Sequence, residues 1–220
     1  MQITHQYSAE TTSYCGNRRL LVSPSPSTRG DAIGGIMSRI AFLGLGAMGS
    51  RMAAQLLSAD HALVVWNRSP EKTDALRAAG AEGAASPRAA AEGADFVLAM
   101  VRDDQASREI WLDRETGALA SIRRDAVAIE CSTLGLQWVA ELSVRCKAGG
   151  VAFLDAPLAG SRPQAEQRQL IFFVGGDPEV FARAEPILKA MGAAIHHAGL
   201  NGAGALTKLV ANALFGIQVA

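Results

Sequence analysis

The chain has 220 residues, enough for one sizeable domain or for one domain and the start of another. Its 21 basic and 21 acidic residues cancel, so no net field draws it to nucleic acid or to an anionic membrane. Hydrophobic residues make up 49% and charged residues 19%, as in ordinary soluble proteins, and no apolar run reaches the ~20 residues that span a bilayer.

Residues 1–37 read as a disordered extension, rich in Gln, Ser, Thr, Tyr and Asn, with Ser23-Pro-Ser-Pro-Ser near the middle. Arg18, Arg19 and Arg29 give it a faint likeness to an organelle transit peptide, although no amphipathic arginine-rich helix can be drawn. The plainer account makes Met37 the working start of a cytoplasmic protein. From Arg39 strands and helices alternate. Ile40–Leu43 predicts a strand and Met48–Leu57 a helix, and Ala62–Trp66 predicts a strand buried on both faces. Ser69 before Pro70 reads as the N-cap of a helix ending near Gly80, and Ser86 before Pro87 as that of a shorter one. Asp95–Val101 and Ala126–Glu130 are strands, separated by a helix around Gln105–Leu112. Further helices are expected at Leu136–Cys146 and, behind an Asp177 cap, at Pro178–Met191. Val151–Leu154, Leu170–Val174 and Ala193–His196 complete the strands. This order implies an α/β fold, a doubly wound and mostly parallel sheet of Rossmann type over residues 38–200. From about residue 201 an apolar helix begins and has no stop signal before the chain ends.

Gly44, Gly46 and Gly49 have the G-x-G-x-x-G spacing of a dinucleotide-binding turn between a strand and a helix. Gly44 allows the sharp turn, Gly46 leaves room for a pyrophosphate, and Gly49 lets the helix approach the strand. Leu45, Ala47 and Met48 share the turn, whose backbone N–H groups and helix dipole suit phosphate. About twenty residues on, an NAD site would carry an acidic residue for the ribose 2′-OH. This chain has Asn67-Arg68-Ser69 there. Arg68 can grip a 2′-phosphate with a bidentate fork, and Asn67 and Ser69 can add hydrogen bonds, so NADP is expected over NAD. Met100 and Val101 end the third strand, where backbone runs along the cofactor.

Ser132 and Thr133 follow the next strand and either touch nicotinamide and substrate or cap the next helix. Asp155-Ala-Pro-Leu-Ala-Gly160-Ser161 either exposes N–H groups to a carboxylate or is a plain loop. Lys208 and Asn212 lie four apart on the last helix and share a face. A lysine there either snorkels to solvent or donates a proton to a carbonyl oxygen becoming an alkoxide. Cys15, Cys131 and Cys146 are far apart with no C-x-x-C pair, arguing against disulfides and zinc. His196 and His197, being neighbours, would face opposite sides of a strand, so no metal site is expected.

Taken in order, these segments resemble the β-hydroxyacid dehydrogenase family over residues 38–220. Gly44-Leu-Gly-Ala-Met-Gly49 resembles its cofactor turn, and Asn67-Arg68-Ser69 its NADP-type strand end. Asp155-Ala-Pro-Leu-Ala-Gly160 resembles its substrate loop, and Gly204-Ala-Leu-Thr-Lys208-Leu-Val-Ala-Asn212 its catalytic helix. The stretch Gly160–Glu166 with Gln169-Leu170 is most similar to the glyoxylate/succinic semialdehyde reductase branch. The resemblance implies hydride transfer between NADPH and a small aldehyde or keto acid, with Lys208 as proton donor and Asn212 orienting substrate or lysine. It also implies a carboxylate held by Ser132, Gly160 and neighbouring backbone, and Thr133 near the nicotinamide. Where family members carry a loop serine this chain has Ala159, so one carboxylate hydrogen bond is either missing or supplied by Ser161. The family continues into an all-helical domain that closes the site and forms a homodimer or larger assembly, and this chain ends inside the helix leading there. A truncated cofactor-binding remnant without turnover is therefore a second expectation. An imine-reductase-like enzyme is a third, disfavoured by Lys208.

Overall fold

The computed structural model describes residues 37–219. The extension expected at the amino terminus falls, but for Met37, outside them. The sheet begins with β1 (Arg39–Leu43), followed by α1 (Gly49–Ser58), β2 (Ala62–Trp66), α2 (Asp74–Ala78) and β3 (Glu82–Gly83). α3 (Pro87–Ala91), β4 (Phe96–Ala99), α4 (Asp104–Leu112), β5 (Val127–Glu130) and α5 (Leu136–Ala148) come next. Then follow β6 (Ala152–Asp155), β7 (Leu158–Ala159), α6 (Arg162–Glu166), β8 (Leu170–Gly175), α7 (Pro178–Lys189), β9 (Gly192–Gly199) and α8 (Ala203–Val219).

Six strands run parallel in the order β3-β2-β1-β4-β5-β6. Beyond them β8 is antiparallel to β6 and β7, and β9 lies parallel to β8. Alternation along each strand splits the core between the two faces. Ile40, Phe42, Leu98, Ile129 and Leu154 pack with Met52 and Leu56 of α1 and Leu188 of α7. Ala41, Leu43, Val97 and Ala128 pack with Trp111 of α4, Trp138 and Leu142 of α5, and Ala205 of α8. The result is a three-layer doubly wound sandwich whose crossovers bring the carboxyl ends of β1, β2, β4, β5 and β6 to one edge. Among the described residues no helix is long and apolar enough to cross a membrane.

The local expectations need four corrections. Ser69 makes no side-chain cap; the chain winds there as a 3₁₀ turn over Pro70–Thr73 before α2. The Thr73 hydroxyl donates to the Pro70 carbonyl at 2.7 Å and stabilises that tighter turn. Ser86 and Asp177 cap as read, accepting from Ala89 N–H and from Glu179 and Val180 N–H. Ser132 and Thr133 cap nothing, because α5 starts behind Gly135. The stretch after Asp155 is not an open loop: Leu158 and Ala159 pair with Phe172 and Ile171. Finally, β9 is twice the expected length, and its adjacent histidines stack separately, His196 on Phe173 and His197 on Phe181.

Candidate functional site

The glycine turn is held by what surrounds it. Gly44 N–H donates to the Trp66 carbonyl at 2.9 Å, tying the turn to the end of β2. Gly44 has φ +96°, a left-handed conformation that side chains disfavour, and a Cβ there would strike the Met100 carbonyl. A Cβ on Gly49 would strike the Gly44 carbonyl, so α1 can begin this close to the turn only with glycine. Around Gly46 the space is open, with no atom within 4 Å of where a Cβ would stand. The turn therefore offers an unobstructed backbone face at the amino end of a ten-residue helix, which fits a pyrophosphate.

A cavity of about 660 Å³ opens in front of this turn, within the size range of small-molecule sites. Gly44, Gly46, Ala47, Met48 and Gly49 form its floor. Asn67, Arg68 and Ser69 form one side, Met100 and Val101 another, and Ala106 and Ile110 of α4 the far wall. Ten of the expected cofactor residues thus share one concavity. Leu45 does not: its side chain is buried in the core, and its N–H is taken by Asn67 Oδ1 at 2.9 Å. The other end of that amide donates from Nδ2 to the Ser69 carbonyl at 2.9 Å. Asn67 is thereby a brace between turn and strand end, with one Nδ2–H and one Oδ1 lone pair committed to it.

Arg68 is exposed at the rim and makes no ion pair among the described residues. Two further cations that the sequence reading missed, Lys72 and Arg102, also line the cavity. The signal for Lys72 was its place four residues after Arg68, one turn on. Arg102 Nε pairs with Asp103 at 2.7 Å. Asp103 caps α4 through Ala106 N–H at 2.8 Å, and this bond, Arg102 and the field of Arg68 hold its carboxyl below the usual range. Three cations, Arg68, Lys72 and Arg102, thus line the cavity together with two carboxylates, Glu109 and Asp113.

The second group of expected residues lies off this cavity. The Ser132 hydroxyl is buried and accepts Val101 N–H at 2.8 Å, while Thr133 is exposed. Ala159 is half-buried in β7, and Gly160 and Ser161 are exposed. Ser161 donates both its N–H and its hydroxyl to Gln164 Oε1, at 2.9 and 2.8 Å. The carboxylate donor expected from Ser161 is thus already engaged within α6.

Asp155, at the carboxyl end of β6, does something the sequence reading did not foresee. It is buried, and its two oxygens accept Gly202 N–H at 2.7 Å and Ala205 N–H at 2.8 Å. Burial pushes this carboxyl above the ordinary range against the opposing pull of those bonds. It anchors the first turn of α8 from a distant strand, and Gly204 lets the helix come in, since a Cβ there would strike the Phe173 carbonyl. One turn further, Lys208 is half-buried and Asn212 exposed. Lys208 forms no ion pair among the described residues, and partial burial lowers its affinity for the proton. Asp155 is the register partner of Glu130, just before Ser132, so α8 starts from the same sheet edge as Ser132.

Residues 39–199 match the family described as the NAD binding domain of 6-phosphogluconate dehydrogenase. The chain belongs to that family. Named relatives narrow it to the β-hydroxyacid dehydrogenases. It is 40% identical over 181 residues to a Pseudomonas aeruginosa NAD-dependent L-serine dehydrogenase, covering 82% of this chain and 60% of that protein. It is 36% identical over 200 residues to Arabidopsis thaliana glyoxylate/succinic semialdehyde reductase 2, covering 91% of this chain and 55% of that protein. Among solved structures, Mycobacterium tuberculosis 3-hydroxyisobutyrate dehydrogenase with L-serine superposes with a TM-score of 0.79 at 33% identity, covering 83% of this chain and 62% of that one. The chain spans less than two thirds of the length of each.

Proposed function

We propose that this chain carries the NADPH-binding half, and the lysine helix, of a reductase acting on small aldehyde or keto acids. The observation that carries the cofactor reading is the cavity itself. It has an open Gly46 turn at its floor and, at the end of β2, Arg68 where an NAD site would place a carboxylate. Lys72 adds a second cation within one turn of Arg68. When bound, the nicotinamide supplies the hydride. Lys208 protonates the substrate oxygen, a role its lowered proton affinity and lack of a carboxylate partner suit. Asn212, one turn along, orients substrate or lysine, and the Gly160 backbone faces the carboxylate. The same reading has the protein working as a homodimer or larger assembly.

One observation favours a second reading, with NAD as cofactor: the Pseudomonas relative is named as NAD-dependent. Following loss of reduced-nicotinamide absorbance with glyoxylate, succinic semialdehyde and methylmalonate semialdehyde tests the reaction. Turnover that depends on Lys208 supports it. Turnover by Lys208→Ala at the wild-type rate removes Lys208 from the chemistry.

A further inference from the structure

The carboxyl end of β5 holds a buried carboxylate that the site as described leaves unused. Glu130 is 1% exposed and has no ion-pair partner among the described residues. Its Oε2 accepts Ser107 Oγ–H at 2.7 Å and Trp111 Nε1–H at 2.8 Å, both from α4. Its Oε1 accepts Ser132 N–H at 2.9 Å. Burying a carboxylate without a cation is costly even when its donors are satisfied, and a leucine would pack there without that cost.

With its N–H held by Glu130, Ser132 presents its hydroxyl oxygen to Val101 N–H, which it accepts at 2.8 Å. Val101 is on the cavity wall. A run of three groups therefore leads from a buried charge to the backbone that faces the ligand. We propose that Glu130 is a positioning residue for the cofactor wall: through the Ser132 N–H it fixes Ser132, whose hydroxyl holds Val101 and so the Met100–Arg102 segment after β4 at the spacing the dinucleotide needs. This rests on the cofactor reading given above.

Glu130→Gln keeps the shape but sets an N–H₂ against a donor in either orientation of the amide. In the free chain this variant exchanges the Val101 amide about tenfold faster relative to the Phe96–Ala99 amides of the same strand, and its NADPH dissociation constant rises about tenfold. Ser132→Ala gives both changes, and the double variant is no worse than either single one, because both act through one bond. Ser107→Ala removes a Glu130 donor on the α4 side; it lowers the melting temperature and leaves Val101 exchange and NADPH affinity within about twofold. Should Glu130→Gln not fold, Ser132→Ala alone must give both changes. Unchanged Val101 exchange, faster exchange with unchanged affinity, or an equal effect of Ser107→Ala overturns the proposal. A wild-type chain that binds no NADPH overturns the cofactor reading instead, while the exchange data still decide whether Glu130 holds Val101.

Discussion

Around the carboxyl ends of β1, β2 and β4 the chain builds a walled cavity, whereas around β5, β6 and α8 it builds well-anchored residues that face outward. The first region's turn, brace, cations and α4 wall come from residues 44–116; the turn is fixed by Gly44 N–H to Trp66 and by Asn67 to Leu45, and Val101 is tied to Ser132 beyond β5. The second region is held at its base, by Asp155 on α8, while Lys208 is only half-covered and Asn212 is open. Further along α8, Leu206, Val210, Leu214 and Phe215 are exposed. Binding of the nucleotide and transfer of the proton thus rest on different side chains, joined only where Ser132 beyond β5 accepts Val101 N–H, and loss of Lys208 should leave nucleotide binding standing.

The largest effect is expected from the outward-facing half. Lys208→Ala should cut carbonyl reduction by about 10²–10⁴-fold, the usual contribution of a general acid, with NADPH affinity within about twofold. An equal loss of affinity would mean that the two regions are not separable. Next, Arg68→Ala should weaken NADPH about 10–100-fold and NADH only a few-fold, measured by fluorescence titration. Then, Asp155→Ala leaves two N–H groups of α8 without their acceptor and should lower the unfolding free energy by about 1–3 kcal/mol in urea melts. Its NADPH affinity under native conditions should stay near wild type, since the cavity does not include it.

The smallest effect is on pH dependence. Burial raises the carboxyls of Asp155 and Glu130, so the folded chain holds these protons more tightly than the unfolded chain. Their contribution to stability is present below the ordinary carboxyl range and is lost as pH rises through the raised folded values. Asp155→Asn should flatten part of that fall. A stability curve that keeps the wild-type slope would remove Asp155 from the account.

The walled half was the more legible in sequence because its parts are local. The glycine spacing, the strand before it and Arg68 at the end of the next strand lie within the 30 residues 39–68 and follow one motif. The second half depends on partners that spacing does not encode. Asp155 meets Ala205 across 50 residues, and nothing in Asp-Ala-Pro-Leu marks that carboxylate as a helix anchor. Asn67 read as a ligand contact because its place beside Arg68 was visible and its bond to Leu45 was not. Ser161 read as a free donor for the same reason, with its partner Gln164 only three residues away. Short strands such as β7 escape periodicity altogether, since two residues cannot alternate.

The central claim is that the cavity lined by residues 44–116 prefers a 2′-phosphorylated nucleotide. It is tested most directly by titrating the 220-residue chain with NADPH and with NADH, as wild type and as Arg68→Ala. The account predicts tighter binding of NADPH by the wild type and loss of that preference in the variant. Equal affinities in the wild type, or an equal loss for both nucleotides in the variant, would contradict it.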